Sequence, residues 1–198
     1  LRRTTEEGVD LNRNFVDFSQ ALPDNPGYRE LADAFVTRAI DEGSLSAAEA
    51  RFEDYKKRHG DAAYLAARGA GQYSNPEGLF YGGTAPTWAR QTTERILDHY
   101  ALAGRKVAVV DLHTGLGPYG YGELIAGADP QTAAVQRLTD WYGPTLTQPA
   151  LGGSIIVPQL GMAHIGWRAR IGDVLTFAYL EFGTRAPVFM QRALCRDH

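Results

Sequence analysis

Apolar residues at helical spacing dominate the stretch from residue 26 to residue 71. The apolar positions there recur about one turn apart, at Leu31, Phe35 and Ile40, which is typical of an amphipathic helix. A second run, residues 46–60, is rich in Ala, Glu and Lys, residues of high helix propensity. A third short helix is predicted over residues 62–68. Glycines predict where these helices break, at Gly43, Gly60 and the Gly69–Gly71 pair.

The pattern then changes to a loop and back to a helix. Residues 72–86 contain Asn75-Pro76, Gly78 and Gly82-Gly83, a composition that favours turns over regular structure. Residues 87–102 return to helical spacing, and Gly104 follows as the predicted stop. Farther along, we predict a helix over about residues 130–142 and the first turns of another over residues 187–196, which begins at a proline.

Two continuous apolar runs predict strands. Residues 106–112 read KVAVVDL, a β-branched run typical of a strand that helices bury on both faces, and this run ends at His113. The second run covers residues 173–182 and ends around Glu181. A glycine-, proline- and tyrosine-rich loop is predicted over residues 114–122.

Helices that alternate with buried strands, without an internal repeat, predict an α/β fold with a mixed, largely parallel sheet sandwiched by helices. At 198 residues the chain has the length of one domain. We therefore expect a single domain over residues 1–198 with a helical insertion at about 26–71, and a fold that is incomplete at both ends.

Composition and charge exclude several classes of protein. With 44% hydrophobic and 22% charged residues, the chain is that of a globular protein rather than a disordered or fibrous one. Its 20 Lys and Arg against 23 Asp and Glu are scattered without a basic stripe, so nucleic acid is not an expected partner. Its apolar stretches are too short to span a membrane. The single cysteine, Cys195, has no partner for an internal disulfide.

The first residue limits what can be said of targeting. The chain opens at Leu1, without a methionine or a leader, and we interpret it as a fragment of a longer protein. The sequence therefore does not determine the cellular compartment, and the cytoplasm is the default expectation. No residue pattern indicates a protein partner.

Two ionisable residues end the predicted strands, and that is where open α/β sheets carry their ligand sites. His113 precedes Thr-Gly, and Glu181 precedes Phe-Gly-Thr. A single residue of this kind is usually structural, but two in matching positions indicate a site.

A third candidate group lies near the start of the chain. Residues 8–15 read GVDLNRNF, and Arg2 and Arg3 precede them. Arginine binds carboxylates through two parallel hydrogen bonds, and an asparagine amide adds a neutral donor. Arg3, Asn12 and Arg13 are therefore a candidate anion clamp. The alternative is a charged surface balanced by nearby acidic residues, and spacing alone favours that alternative.

These motifs together resemble the zinc carboxypeptidases. The run GVDLNRNF is similar to the motif in which an Asn-Arg pair holds the free carboxylate of the substrate. The resemblance implies that Asn12 and Arg13 bind that carboxylate, that Arg3 stabilises the oxyanion, that His113 is a zinc ligand, and that Glu181 is the general base. One zinc ion is the implied cofactor.

Other segments refine the resemblance. Residues 72–83 and 115–122 resemble a bacterial branch of that family known only as a domain of unknown function, while residues 111–115, DLHTG, are also similar to the aspartoacylase-like deacylases. The family's other two zinc ligands, a His-x-x-Glu pair, precede the Asn-Arg motif, and the seven residues before Gly8 contain no such pair. We expect those ligands upstream of Leu1. Further candidate substrate contacts are Tyr119, Tyr121 and His164, for which packing roles are the alternative.

Three functions follow from these observations. The first is a zinc hydrolase that cleaves a peptide or amide bond next to a free carboxylate. The second is an N-acyl amino acid deacylase or amidase. The third is a catalytically silent module that binds carboxylates. A small peptide or an N-acyl amino acid is the expected substrate of either enzyme.

Overall fold

The computed structural model describes residues 4–39 and 41–196, and within these ranges it contains seven α-helices and one sheet of three strands. The chain divides into two compact units. One comprises Leu1–Thr87, Gln159–Gly161 and Val188–His198, and the other comprises Trp88–Pro158 and Met162–Pro187. The single domain and the helical insertion stay predictions.

Three consecutive helices form most of the first unit: α1 (Pro26–Phe35), α2 (Glu42–His59) and α3 (Asp61–Gly69). The predicted break at Gly60 is confirmed, because Gly60 ends α2 with a positive φ of 88°. The predicted break at Gly43 is wrong, since this glycine lies in the first turn of α2. Asp41 sets the start of that helix, because its carboxylate accepts hydrogen bonds from the backbone N–H and the hydroxyl of Ser44.

Aromatic side chains fill the core between these helices. Phe35 is fully buried and stacks on Tyr28 and Phe52, with ring centroids 5.2 Å and 5.1 Å apart. Cys195, from the helix α7 (Pro187–Arg196), is buried in the same core. Burial raises the pKa of the Cys195 thiol, so the thiolate form that reacts or binds metals is disfavoured.

The second unit carries the sheet. Its helices are α4 (Trp88–His99), α5 (Ala133–Tyr142) and α6 (Ala163–Ile171), and its strands are β1 (Val107–Gly115), β2 (Gly122–Ala126) and β3 (Leu175–Gly183). The strand order is β1-β3-β2, with β1 parallel to β3 and β2 antiparallel to it. The predicted mixed α/β sheet is confirmed.

Helices cover the two faces of this sheet unequally. Leu97 of α4 and Ile171 of α6 pack with Phe177 on one face. On the other face, α5 packs Val135 and Leu138 against Ala178 of the central strand. Neither helix group covers the outer face of β1, where Val110 is 45% exposed and Leu112 is 70% exposed.

The prediction that helices bury β1 on both faces is therefore wrong for the described part of the chain. Burial along β1 alternates between half-buried and exposed residues, as in a strand with one covered face. A β-branched run suits either environment, so its composition alone could not separate the two.

Two elements of the second unit were not predicted. β2 begins at the end of the predicted loop 114–122. α6 follows an irregular segment and carries His164 in its first turn. Among the described helices, none combines the length and the apolar character that a membrane-spanning helix requires.

Candidate functional site

Ionisable side chains from all three strands form one row across the sheet. His113 on β1 is the register partner of Glu181 on β3, and Glu181 is the register partner of Glu123 on β2. Directly paired residues project from the same face of a sheet. The row thus lies on the face that α4 and α6 cover, close to the carboxyl ends of β1 and β3. We call His113, Glu181 and Glu123 the ionisable row.

His113 lies between two carboxylates. Its Nε2 is 3.1 Å from Oδ2 of Asp111, two residues earlier on the same strand face, and its Nδ1 is 3.9 Å from Oε2 of Glu181. The nearer carboxylate, Asp111, favours the proton on Nε2. That tautomer leaves the lone pair of Nδ1 on the side of Glu181, where a ligand or a water molecule could use it.

The two oxygens of Glu181 have different surroundings. Oε1 accepts a hydrogen bond of 2.9 Å from the backbone N–H of Leu116, the first residue after β1. Oε2 is the oxygen nearer to His113. Only 11% of the Glu181 side chain is exposed, so the carboxylate is held in one orientation at the end of β3.

Glu123 completes the row, but its role is structural. Its carboxylate is buried and accepts hydrogen bonds from the hydroxyls of Thr147 and Ser154, at 2.6 Å and 2.7 Å, and from the backbone N–H of Ile155. These donors fasten the irregular segment 147–155 to β2. Sequence reasoning missed Glu123, because its donors lie more than 20 positions away in the chain and form no motif with it.

Asn12 and Arg13 lie in the first unit, in a short 3-10 turn (Leu11–Arg13) that Asp10 caps through the N–H of Asn12. The Arg13 side chain is fully buried. It donates to the carbonyl oxygens of Asn12 and Gly69, at 2.8 Å and 2.7 Å. Its guanidinium also lies over the ring of Phe80, with 5.2 Å between Cζ and the ring centroid.

This burial overturns one alternative from the sequence. A solvated charged surface around Arg13 is wrong, since the side chain has no exposed area. The Arg13 side chain can lie here only because residue 71 is glycine. A Cβ at Gly71 would meet Cδ and Nε of Arg13. Arg13 thus ties the first turn of the unit to the end of α3, whereas Asn12 is partly exposed.

The other predicted site residues are spread over several places. Arg3 lies outside the described residues. Tyr119 and Tyr121 lie on the loop between β1 and β2, and these residues are 87% and 54% exposed. His164, in the first turn of α6, hydrogen-bonds through Nδ1 to the hydroxyl of Tyr179 at 2.8 Å. It therefore reaches the row through Tyr179 rather than directly.

A shallow cleft of about 390 Å³ opens beside His164. Arg168 and Asp173, which also line it, form an ion pair at 2.7 Å. The cleft is lined by neither His113 nor Glu181. The ionisable row, with its paired geometry, is the stronger candidate for chemistry.

The fold and the row define an α/β protein with a histidine and a glutamate paired on adjacent parallel strands. Residues 1–198 match the family described as Protein of unknown function (DUF2817), so the chain belongs to that family. Neither the search of curated proteins nor the search of solved structures returned a match. The expected family of unknown function is thereby confirmed, and the link to zinc carboxypeptidases stays a prediction.

Proposed function

We propose that the protein is a hydrolase of peptide or amide bonds in which Glu181 is the general base and His113 is a zinc ligand. The observation that carries the proposal is the register pairing of His113 with Glu181, which sets Nδ1 of the imidazole 3.9 Å from Oε2 of the carboxylate. A general base must stand within reach of the water that it activates. A water molecule held near Nδ1 of His113 meets that requirement.

The donor set supports zinc only in part. His113 offers one imidazole nitrogen, and Asp111 beside Nε2 is the kind of second partner that fixes a metal-binding histidine. Catalytic zinc sites commonly have three protein ligands. Within residues 4–39 and 41–196, no three His, Cys, Asp or Glu residues are grouped to hold a metal ion. These residues alone therefore do not make a zinc site, and the proposal assigns the other two ligands to a His-x-x-Glu pair N-terminal to the Asn12-Arg13 motif.

The chain's own residues define the proton transfers. Oε2 of Glu181 accepts the proton of the attacking water, and the Leu116 N–H keeps the carboxylate in position through Oε1. The same oxygen then delivers the proton to the leaving amine. Zinc, when bound, supplies a water of lowered pKa and a Lewis acid for the carbonyl.

The burial of Arg13 bears on the choice between an enzyme and a silent carboxylate-binding module. Arg13 is enclosed and donates to two backbone carbonyls, which weakens the predicted Asn12 and Arg13 carboxylate clamp. A silent carboxylate-binding module depends entirely on that clamp, whereas the hydrolase would use it only to hold the substrate carboxylate. The ionisable row therefore supports an enzyme more than it supports that module. Peptide and N-acyl amino acid substrates share the same chemistry, and the proposal covers both.

A chelator experiment with a substrate panel tests the proposal. The protein expressed from its full reading frame is treated with a chelator, re-supplied with zinc, and assayed on C-terminal dipeptides and on N-acyl amino acids. We expect activity that the chelator removes and zinc restores, and the preferred panel identifies the substrate class. Hydrolysis that survives complete removal of metal would contradict the zinc assignment, and binding of both panels without turnover would favour the module.

A further inference from the structure

Tyr179 connects the ionisable row to the start of α6. It lies two residues before Glu181 on β3, is the register partner of Asp111, and is 3% exposed. Its ring meets the His113 imidazole edge to face, with centroids 5.5 Å apart and planes at 86°. It also meets the His164 ring at 5.8 Å and 77°. The ring thus stands between two imidazoles.

Hydrogen bonds fix this ring at its far end. The Tyr179 hydroxyl oxygen is 3.4 Å from the backbone N–H of His164, which donates to it, and 2.8 Å from Nδ1 of the same residue. Burial, with a smaller contribution from Arg168, lowers the pKa of His164 to about 4, so the imidazole is neutral at pH 7. A neutral ring with an unprotonated Nδ1 can accept the hydroxyl proton, which assigns the proton of His164 to Nε2.

Close packing against Gly127 also holds the Tyr179 and His164 rings in place. A Cβ at Gly127, just after β2, would lie 2.6 Å from Cε2 of Tyr179 and 2.8 Å from Nδ1 of His164. Residue 127 can therefore only be glycine if both rings are to keep their places. The β2 end, the α6 start and β3 all converge on this one aromatic ring.

We infer that Tyr179 and His164 form a positioning pair that holds the His113 imidazole with Nδ1 toward Glu181. Tyr179 sets the plane of the His113 ring by edge-to-face contact, and His164 sets the place of Tyr179 through the hydroxyl. This inference rests on the proposed function for the use of Nδ1, but the orientation itself is a property of the protein without metal. Neither Tyr179 nor His164 contacts the reacting atoms of the proposed reaction.

The ¹⁵N imidazole shifts of His113, recorded on metal-free protein at one fixed pH, test the pair. We expect the wild type to show one ring state with the proton on Nε2. Tyr179→Leu removes the ring contact, and Gly127→Ala displaces both the Tyr179 and the His164 rings without replacing a polar group. In both variants the His113 ring is free to turn away from Asp111, so we expect His113 shifts averaged over the two tautomers. His164→Leu removes the acceptor of the hydroxyl and should do the same, whereas His164→Asn keeps an acceptor near Nδ1 and should restore the wild-type signal.

Melting temperatures measured in parallel separate positioning from stability. If Tyr179→Leu and Gly127→Ala lower the melting temperature yet leave the His113 shifts as in the wild type, the pair is structural and the inference is wrong. The inference is also wrong if His164→Asn gives the same His113 shifts as His164→Leu. The shift measurement needs neither metal nor substrate. Its outcome therefore does not depend on whether the protein is a hydrolase.

Discussion

Arg13 places a guanidinium in the interior of the first unit, where its side chain has no exposed area. Its donors go to the carbonyls of Asn12 and Gly69, and Gly71 leaves room for its methylene and Nε atoms. A side chain so enclosed holds backbone segments together. Its removal leaves carbonyl oxygens without their donors, and that cost falls on folding.

We predict that Arg13→Met lowers the free energy of unfolding by about 2–4 kcal/mol, the range for breaking a buried hydrogen-bond network. Chemical denaturation measures this loss. Arg51→Met is the matched control, because Arg51 is exposed and donates to a single carbonyl, that of Glu30. Near-wild-type stability of Arg13→Met, together with a raised KM for the substrate, would instead support the carboxylate clamp.

The residue types of the candidate site could be predicted from the sequence, but their surroundings could not. His113 and Glu181 stand out because each ends an apolar run before a glycine turn. Asp111 beside Nε2, the Leu116 N–H on Oε1 and the Tyr179 ring depend on strand register. Register is a tertiary property that no local spacing encodes.

Glu123 holds the irregular segment 147–155 against strand β2, because its carboxylate accepts hydrogen bonds from two hydroxyls and one backbone N–H of that segment. We predict that Glu123→Gln destabilises the protein by about 1–3 kcal/mol. All three donors reach Oε1, where a neutral amide carbonyl is a weaker acceptor than a carboxylate, and an NH₂ group in place of Oε2 would face the Ile155 N–H. Denaturant unfolding measures the change, with the exposed Glu77→Gln as control. If Glu123→Gln and Glu77→Gln unfold at the same denaturant concentration, Glu123 does not anchor the segment.

The loop between β1 and β2 depends on a close approach to the end of β3. A Cβ at Gly183 would meet the carbonyl of Pro118 and the backbone of Gly117, and Leu116 in the same loop donates to Glu181. We therefore predict that Gly183→Ala shifts the loop, weakens that hydrogen bond and reduces kcat by about tenfold, a factor equivalent to roughly 1.4 kcal/mol. Steady-state kinetics measure it. Unchanged kcat would show that the loop does not position Glu181.

Helices with caps or terminal glycines were the most predictable elements. The Gly60 stop is encoded locally, whereas the Gly43 break failed because Asp41 caps α2 before the glycine. β2 and α6 escaped prediction because both are short and lie beside glycine-rich loops. The exposed face of β1 could not be predicted, since a β-branched run fits one covered face as well as two.

The partly buried His164 predicts a loss of stability of the whole protein in acid. Burial, and to a smaller extent Arg168, lowers its pKa to about 4 in the folded protein, against about 6.5 in an unfolded chain. The unfolded state therefore binds the proton first. The stabilisation is complete above about pH 6.5, declines as the pH falls, and is lost below about pH 4, with a total of about 3 kcal/mol.

Unfolding free energies measured between pH 7 and pH 4 check this expectation. His164→Asn does not titrate in that window and keeps an acceptor for the Tyr179 hydroxyl. The difference in stability between the wild type and this variant should shrink steadily as the pH falls. A difference that stays constant over the window would mean that His164 is protonated equally in both states.

In the proposed reaction, Glu181 acts as the base beside a metal-binding His113. The most direct test is kcat of Glu181→Gln, compared with the wild type when both are saturated with zinc, on the best substrate of the panel. We expect the variant to retain zinc and to have a kcat lower by about 10²–10⁴-fold, the usual contribution of general acid–base catalysis. A zinc-loaded Glu181→Gln variant with nearly wild-type kcat would contradict the role of Glu181 as the base.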